Sequence, residues 1–166
     1  MRVFHYSVAR YLPQLLEDKM ILPSTDGLEK ERWHAVWFST NPIWEESANK
    51  MYLASGIRIP GNKLDTHEIG KGLMRIEVVP EAAPYDWEQY KRKSMIPGKL
   101  ARSFLGAAKK GGANPKEWRA SFKPVPQRDW LSVELFNWDT QVWEDSMVAF
   151  RRLEKMQKER EEEAQG

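Results

Sequence analysis

Trp130-Leu131-Ser132-Val133-Glu134-Leu135-Phe136 reads as a strand, rich in β-branched and aromatic residues and carrying a single carboxylate. Downstream, Gln141–Trp143 completes a hairpin around the polar stretch Asn137–Thr140, and upstream Arg119–Val125 has the same β-forming character. Three strands gathered late in the chain are more than an alternating parallel α/β sheet requires. The expected fold class is therefore α+β, with a mixed, mostly antiparallel split sheet flanked by helices.

Working back toward the N-terminus, Leu73–Val79 is a strand closed by Pro80, and Lys99–Lys110 is a helix with Leu100, Phe104, Leu105 and Ala108 on one side. The basic turn Lys109-Lys110-Gly111-Gly112-Ala113-Asn114-Pro115 could cradle a phosphate, although such a segment more often simply ends a helix. Ala35-Val36-Trp37-Phe38-Ser39-Thr40 is a strand. Asn41-Pro42 then reads as an N-cap followed by proline at the first helical position, with Glu45 and Glu46 favoured by the helix dipole. That helix is expected to run to about Leu53, to place Trp44, Ala48 and Tyr52 on one face, and to end at Gly56. Arg2–Tyr6 forms a first strand. A short helix opened by Pro13 directs Leu15, Leu16 and Met20 to the core, and the stretch from Pro23 to Lys30 is a polar loop.

The 166 residues suit one domain, residues 1–145, followed by a C-terminal helix over 146–166. In that helix Met147, Phe150, Leu153 and Met156 form a stripe expected to dock, while the charged residues beyond it are expected to fray. With 41% hydrophobic and 30% charged residues the chain can build both a core and a solvated surface. No apolar run approaches the roughly 18–20 residues that span a bilayer, so no membrane partner is expected and the expected location is cytoplasmic. Cysteine is absent, which removes disulfides, thiolate metal sites and cysteine nucleophiles. His5, His34 and His67 lie far apart without metal-ligand spacing, so no metal is expected, and neither G-x-S-x-G nor G-x-G-x-x-G occurs. A net charge of +2 does not announce a nucleic-acid binder. Eight tryptophans, however, imply either a tryptophan-heavy core or aromatic surfaces that stack ligands.

Three blocks carry a more specific signal: a first strand bearing His5-Tyr6, the strand ending Trp37-Phe38-Ser39-Thr40 with Glu46-Ser47-Ala48-Asn49-Lys50-Met51-Tyr52 after it, and the late strand bearing Glu134. Their order resembles the NAD-dependent ADP-ribosyltransferase superfamily, the group of diphtheria toxin and the poly-ADP-ribose polymerases. The opening, through Met20-Ile21-Leu22-Pro23, is similar to small bacterial members. The resemblance implies a transferase that binds NAD, releases nicotinamide and passes ADP-ribose to a protein or nucleic-acid acceptor. It implies that His5 holds ribose hydroxyls, that Trp44 and Tyr52, with Tyr6 as a further ring, wall the nicotinamide, and that Ser39 or Ser47 contacts its amide, with Thr40 also at the cofactor. Glu134 would be the catalytic carboxylate. The sequence departs from the polymerase pattern in having Lys50 where tyrosine follows the serine by three, and Ser132 where a second acidic or amide residue precedes the glutamate. Residues 57–118 carry no part of the resemblance. The alternative from another class is a non-catalytic protein with an aromatic and basic nucleic-acid surface, using Lys91-Arg92-Lys93, Lys109-Lys110 and Arg151-Arg152.

Overall fold

The computed structural model describes residues 1–25 and 27–166; Asp26, in the loop read between Pro23 and Lys30, lies outside the described residues. The elements in chain order are β1 (Val3–Val8), α1 (Leu12–Asp18), β2 (Met20–Ile21), β3 (Val36–Ser39), β4 (Met51–Ala54), β5 (Ile57–Pro60), α2 (Lys63–Ile69), β6 (Leu73–Val78), β7 (Tyr85–Asp86), α3 (Trp87–Ser94), α4 (Gly98–Gly111), β8 (Trp118–Ser121), β9 (Val125–Pro126), β10 (Trp130–Asn137), β11 (Val142–Asp145) and α5 (Ser146–Gln165). Seven strands form one sheet in the order β11-β10-β6-β1-β3-β8-β7, and β2-β9 and β4-β5 form separate ribbons. Every pairing between these strands is antiparallel, so the class is α+β without the parallel component of the expected mixed sheet.

The register assigns side chains to faces, because residues directly opposite one another point the same way. Phe4 faces Ser39 and Glu77, Tyr6 faces Arg75, and Arg75 faces Glu134, so these share one face. Val3, His5, Ile76, Val133 and Leu135 point to the other. On that second face Val3, Val36, Phe38, Ile76 and Val78 pack with Ile21 and Val125 of the β2-β9 ribbon. Leu12 of α1 and Ala149 of α5 close over Met74 and Leu135 beside them. The first face is covered at one end by α3 and α4, through Trp87, Tyr90, Ala101 and Ala108 against Trp118 and Ala120. At its other end the cover is aromatic: Trp44 and Trp143 against Phe4, Tyr6 and Phe136.

The expected helix over 41–53 does not form. The carbonyls of Asn41, Pro42 and Ile43, which would begin its hydrogen-bond ladder, instead accept from Tyr6 Oη, Arg75 Nη1 and Trp143 Nε1. The segment makes only a 3₁₀ turn at Glu46–Ala48. It then enters the β4-β5 hairpin, whose tip is Ser55 (φ 52°) and Gly56 (φ 78°). Two adjacent residues of positive φ are the mark of a tight hairpin turn of the primed type, so Gly56 turns a ribbon rather than ending a helix. Three smaller expectations also change. Leu16 is exposed and Met20 belongs to β2. The 119–125 stretch divides into β8 and β9. On α5 the docked residue is Ala149, while Met147, Phe150 and Leu153 face solvent and Met156 is half-buried; α5 runs to Gln165.

Within 57–118, α2 and α3 each begin with a capping box. Asn62 and Asp65, and then Asp86 and Gln89, exchange side-chain and backbone hydrogen bonds, which fixes where both helices start. Among the described residues no helix is long and apolar enough to cross a membrane.

Candidate functional site

Between the two covers of the first face lies a cleft of about 680 Å³. Its floor is β1, β3 and β8, through Tyr6, Trp37, Ser39 and Trp118; Phe104, Ala108 and Lys110 of α4 form one wall, and the 45–51 segment the other. The lining is mostly apolar. Trp37, Trp87 and Trp118 pack on one another with ring centroids 5.3–6.2 Å apart.

Of the charged residues that line this cleft, Glu45, Glu46, Lys50 and Lys110, Glu45 is the buried one, at 6% exposed. Its Oε1 accepts from the Ser47 amide at 3.1 Å, the Ser47 hydroxyl at 2.6 Å and the Trp118 indole N–H at 3.1 Å. The first of these bonds caps the 3₁₀ turn, so the same contact that shapes the backbone also fixes the carboxylate. The tether at Asn41–Ile43 holds the segment immediately before it. Trp44, the next residue, is itself locked by its N–H to Asn49 Oδ1 at 2.9 Å and an edge contact with Tyr6 at 5.2 Å. Glu45 therefore sits on a short segment anchored at both ends, with little freedom to wander.

Of the residues singled out from sequence, Tyr6, Ser39 and Ser47 line this cleft together. Ser39 is fully buried and its hydroxyl accepts from the Asn41 amide at 3.1 Å. The Tyr6 hydroxyl donates to the Asn41 carbonyl, and burial pushes its pKa up to about 12, so it is a neutral donor rather than a base. Thr40 sits at the end of β3, where its amide and hydroxyl both donate to the Glu117 carbonyl, at 2.9 and 3.4 Å. Trp44 belongs to the aromatic cover beside the cleft. Tyr52 is on the β4-β5 ribbon, opposite Ile59.

His5 and Glu134, the pair expected to converge on one dinucleotide, point to opposite faces of the sheet. His5 Nδ1 lies 2.9 Å from the Trp37 carbonyl, and its ring meets the edge of Phe38. Burial lowers its pKa below 6.5, with the charge of Lys50 acting the same way and the Trp37 carbonyl opposing both. Glu134 shares the face of Tyr6 but is engaged by Arg75 and lines no part of the cleft. Arg75, 5% exposed, lies between the Phe4 and Trp143 rings at 4.4 and 4.7 Å. Sequence reasoning passed over Glu45 because two adjacent acids after Asn41-Pro42 look like helix-dipole residues. Its partner Trp118 lies 73 positions away, and no local pattern announces that contact.

Among the described residues no group of three or more His, Asp or Glu side chains gathers as a metal site. What the cleft offers is an aromatic lining, the buried Glu45 carboxylate with Glu46 beside it, the Ser47 hydroxyl, and two lysines, Lys50 and Lys110. A second groove, of about 630 Å³, is lined by Glu31, Arg32, His34, Tyr85, Lys93 and Phe122. Compared with family models, with curated proteins and with solved structures, the chain finds no match in any of the three.

Proposed function

We propose that the chain is an NAD-dependent ADP-ribosyltransferase whose substrate occupies the Tyr6–Ser39–Ser47 cleft and whose carboxylate is Glu45. The observation that carries this reading is a nearly buried carboxylate held by three donors in an aromatic cleft of dinucleotide size. Two further features support it. The strands that carry the resemblance, β1 and β3, are neighbours in the middle of the sheet and form the cleft floor. Lys50 and Lys110 line the cleft and supply the positive charge that a pyrophosphate needs, and Lys110 and Gly111 belong to the basic turn singled out from sequence.

In this reaction the bond from C1′ of the nicotinamide ribose to the ring nitrogen breaks, and its electron pair leaves with nicotinamide. Positive charge develops on the ribose as the bond lengthens, and a fixed carboxylate stabilises it without reorganising. The acceptor nucleophile then bonds to C1′ and releases its proton. Ser47 serves by holding Glu45, and the indoles of Trp37, Trp87 and Trp118 serve by excluding water from the floor of the cleft.

The test is calorimetric titration with NAD, combined with nicotinamide release and transfer of labelled ADP-ribose in a lysate. We expect binding and release at millimolar NAD; neither at that concentration rejects the reading. The binding-only alternative draws support from the second groove, where Lys93 of one basic segment lines the wall with Arg32, Tyr85 and Phe122. A steeply salt-dependent gel shift lost in Arg32→Ala and Lys93→Ala would favour it. The eight tryptophans themselves do not form an exposed stacking surface, since none is among the exposed large hydrophobic residues.

A further inference from the structure

The net charge of +2 conceals an uneven distribution. From Gln89 to Lys116, a stretch that holds most of α3 and all of α4, there are eight Lys and Arg and no Asp or Glu, while the other residues carry 18 basic and 24 acidic side chains. Among the described residues only Lys91 of the eight meets a carboxylate, Glu88 at 2.8 Å. Arg92, Lys93, Lys99, Arg102, Lys109, Lys110 and Lys116 are all exposed.

The fold gathers these cations instead of scattering them. α4 rises about 21 Å over its 14 residues, and at 3.6 residues per turn Lys99, Arg102, Lys109 and Lys110 fall within an arc of about 100°. That arc points away from Ala101 and Ala108, which are buried in one cluster with Trp87, Tyr90 and Trp118. Lys110, near the end of α4, lines the cleft, and Lys93, near the end of α3, lines the second groove. Tyr85 of that groove stands opposite Ala120, and Ala120 opposite Trp37 of the cleft, so groove and cleft lie on the same face of the sheet. The groove's rings, Tyr85 and Phe122, are 5.4 Å apart and only half-buried, and Lys93 Nζ stands 5.0 Å from the Tyr85 ring.

A face this positive selects a polyanion. A membrane surface also needs apolar side chains that enter the lipid, and an acidic protein partner brings an apolar contact core. Within 89–116 only one large hydrophobic side chain is exposed, Met95. Nucleic-acid interfaces are instead polar and strongly positive. Half-buried rings beside cations suit unpaired bases, which a duplex keeps stacked inside itself.

We infer that the α3–α4 face is a docking surface for a single-stranded nucleic acid, with phosphates on the Lys99–Lys110 arc and a base in the Tyr85–Phe122 groove. The surface is additional to the cleft, and it stands whether or not the cleft transfers ADP-ribose.

The experiment is fluorescence anisotropy of the full chain with a labelled oligothymidylate of about 12 nucleotides over a salt series. Four phosphate contacts on α4 predict that log K falls with log salt at a slope of about −3 or steeper. The strand should bind at least about tenfold more tightly than inorganic polyphosphate of equal charge or its own duplex with oligoadenylate, and phosphatidylserine vesicles should not displace it. Combining Lys99→Gln, Arg102→Gln and Lys109→Gln should make the slope shallower by about 2 at unchanged melting temperature; Lys110 is left in place because it lines the cleft. Polyphosphate or duplex binding as tightly as the strand, a slope shallower than about −1, or displacement by the vesicles overturns the inference. So does a triple variant with the wild-type slope, which would place the phosphates elsewhere. The wild-type comparisons decide even if the variant fails to fold. Nicotinamide release from NAD, measured in the same samples, judges the transferase reading separately, and the triple variant should leave it unchanged.

Discussion

Arg75 and Glu134 stand directly opposite each other on β6 and β10, and their side chains close a two-point ion pair, 2.7 Å from Nε to Oε2 and 3.3 Å from Nη2 to Oε1. The remaining guanidinium nitrogen, Nη1, donates to the Pro42 carbonyl. The pair therefore ties the sheet to the segment that ends in Glu45. The carboxylate expected from sequence to be catalytic is the counter-charge of a buried arginine, and through Arg75 it is joined to the backbone that leads to Glu45.

Removing one partner of such a pair should cost far more than replacing both. Glu134→Ala leaves Arg75 buried against Phe4 and Trp143 without compensation, and we expect a loss of about 3 kcal/mol in urea denaturation. The double replacement Arg75→Met with Glu134→Leu should recover most of it. A Glu134→Ala protein within about 0.5 kcal/mol of wild type would mean that the pair is held too loosely to anchor anything.

Stability should fall as the solution becomes mildly acidic. Burial is the leading cause that lowers the pKa of both His5 and His67 below 6.5, so the folded chain resists a proton that the unfolded chain accepts. The contribution is fully present above pH 6.5 and is lost as pH falls from there through the lower folded-state values. Glu77 and Glu144 have pKa values lowered from 4.5, by Arg2 and Asn137 respectively, so their contributions fade only below that range. Melting temperature measured at pH 7.5 and 5.5 should drop, by about 2–4 °C for each kcal/mol lost, and His5→Gln should shrink the drop. A flat profile between those values would refute the assignment.

The central strands were legible because their chemistry is local. Val3–Val8, Val36–Ser39, Leu73–Val78 and Trp130–Asn137 carry dense β-forming residues bounded by breakers. The 41–53 segment misled for an equally local reason: Asn-Pro followed by acids, with Trp44, Ala48 and Tyr52 spaced by four, is a sound helix pattern. What overrides it is tertiary, since Tyr6, Arg75 and Trp143 compete for three successive carbonyls from three different strands. The local sign that was available is Ser55-Gly56 between Met51–Ala54 and Ile57–Pro60, a hairpin signal that outweighs the weaker spacing argument. Tyr6, Ser39 and Ser47 reach one cleft because they ride on or directly follow neighbouring strands. His5 misses it because adjacent positions on a strand alternate faces.

The end of α5 should be dispensable for folding. From Gln157 to Gly166 every residue is exposed, and the helix there is supported by contacts within itself, such as Lys155 to Glu159 at 3.8 Å and Gln157 to Glu161 at 3.0 Å. Exposed pairs of this kind contribute little. Deleting residues 158–166 should change unfolding free energy by less than about 0.5 kcal/mol. Ala149→Leu, at a fully buried position against Leu12, Met74 and Leu135, should cost about 1–3 kcal/mol by overpacking. If the deletion were the more damaging of the two, the tail would have to make contacts that its exposure does not suggest.

The carboxylate that serves the chemistry can be identified by comparing three glutamates. Glu45 is in the cleft and rigid, Glu134 is paired with Arg75 outside its lining, and Glu117 lies just before β8 with its carbonyl joined to Thr40. If the charge that develops on the ribose is stabilised from Glu45, Glu45→Gln should lower nicotinamide release about a hundredfold, equivalent to roughly 3 kcal/mol, mainly through kcat. Its shape is preserved, so KM for NAD should rise by no more than the lost attraction for the charged ring. Glu134→Gln should reduce the folded fraction while leaving turnover per folded molecule within about threefold, because its carboxylate lies away from the lining residues. Folded fraction measured by circular dichroism separates the two effects. Full turnover in Glu45→Gln with loss in Glu134→Gln would return the role to the late strand. Loss confined to Glu117→Gln would move it to the residue before β8, beside Thr40.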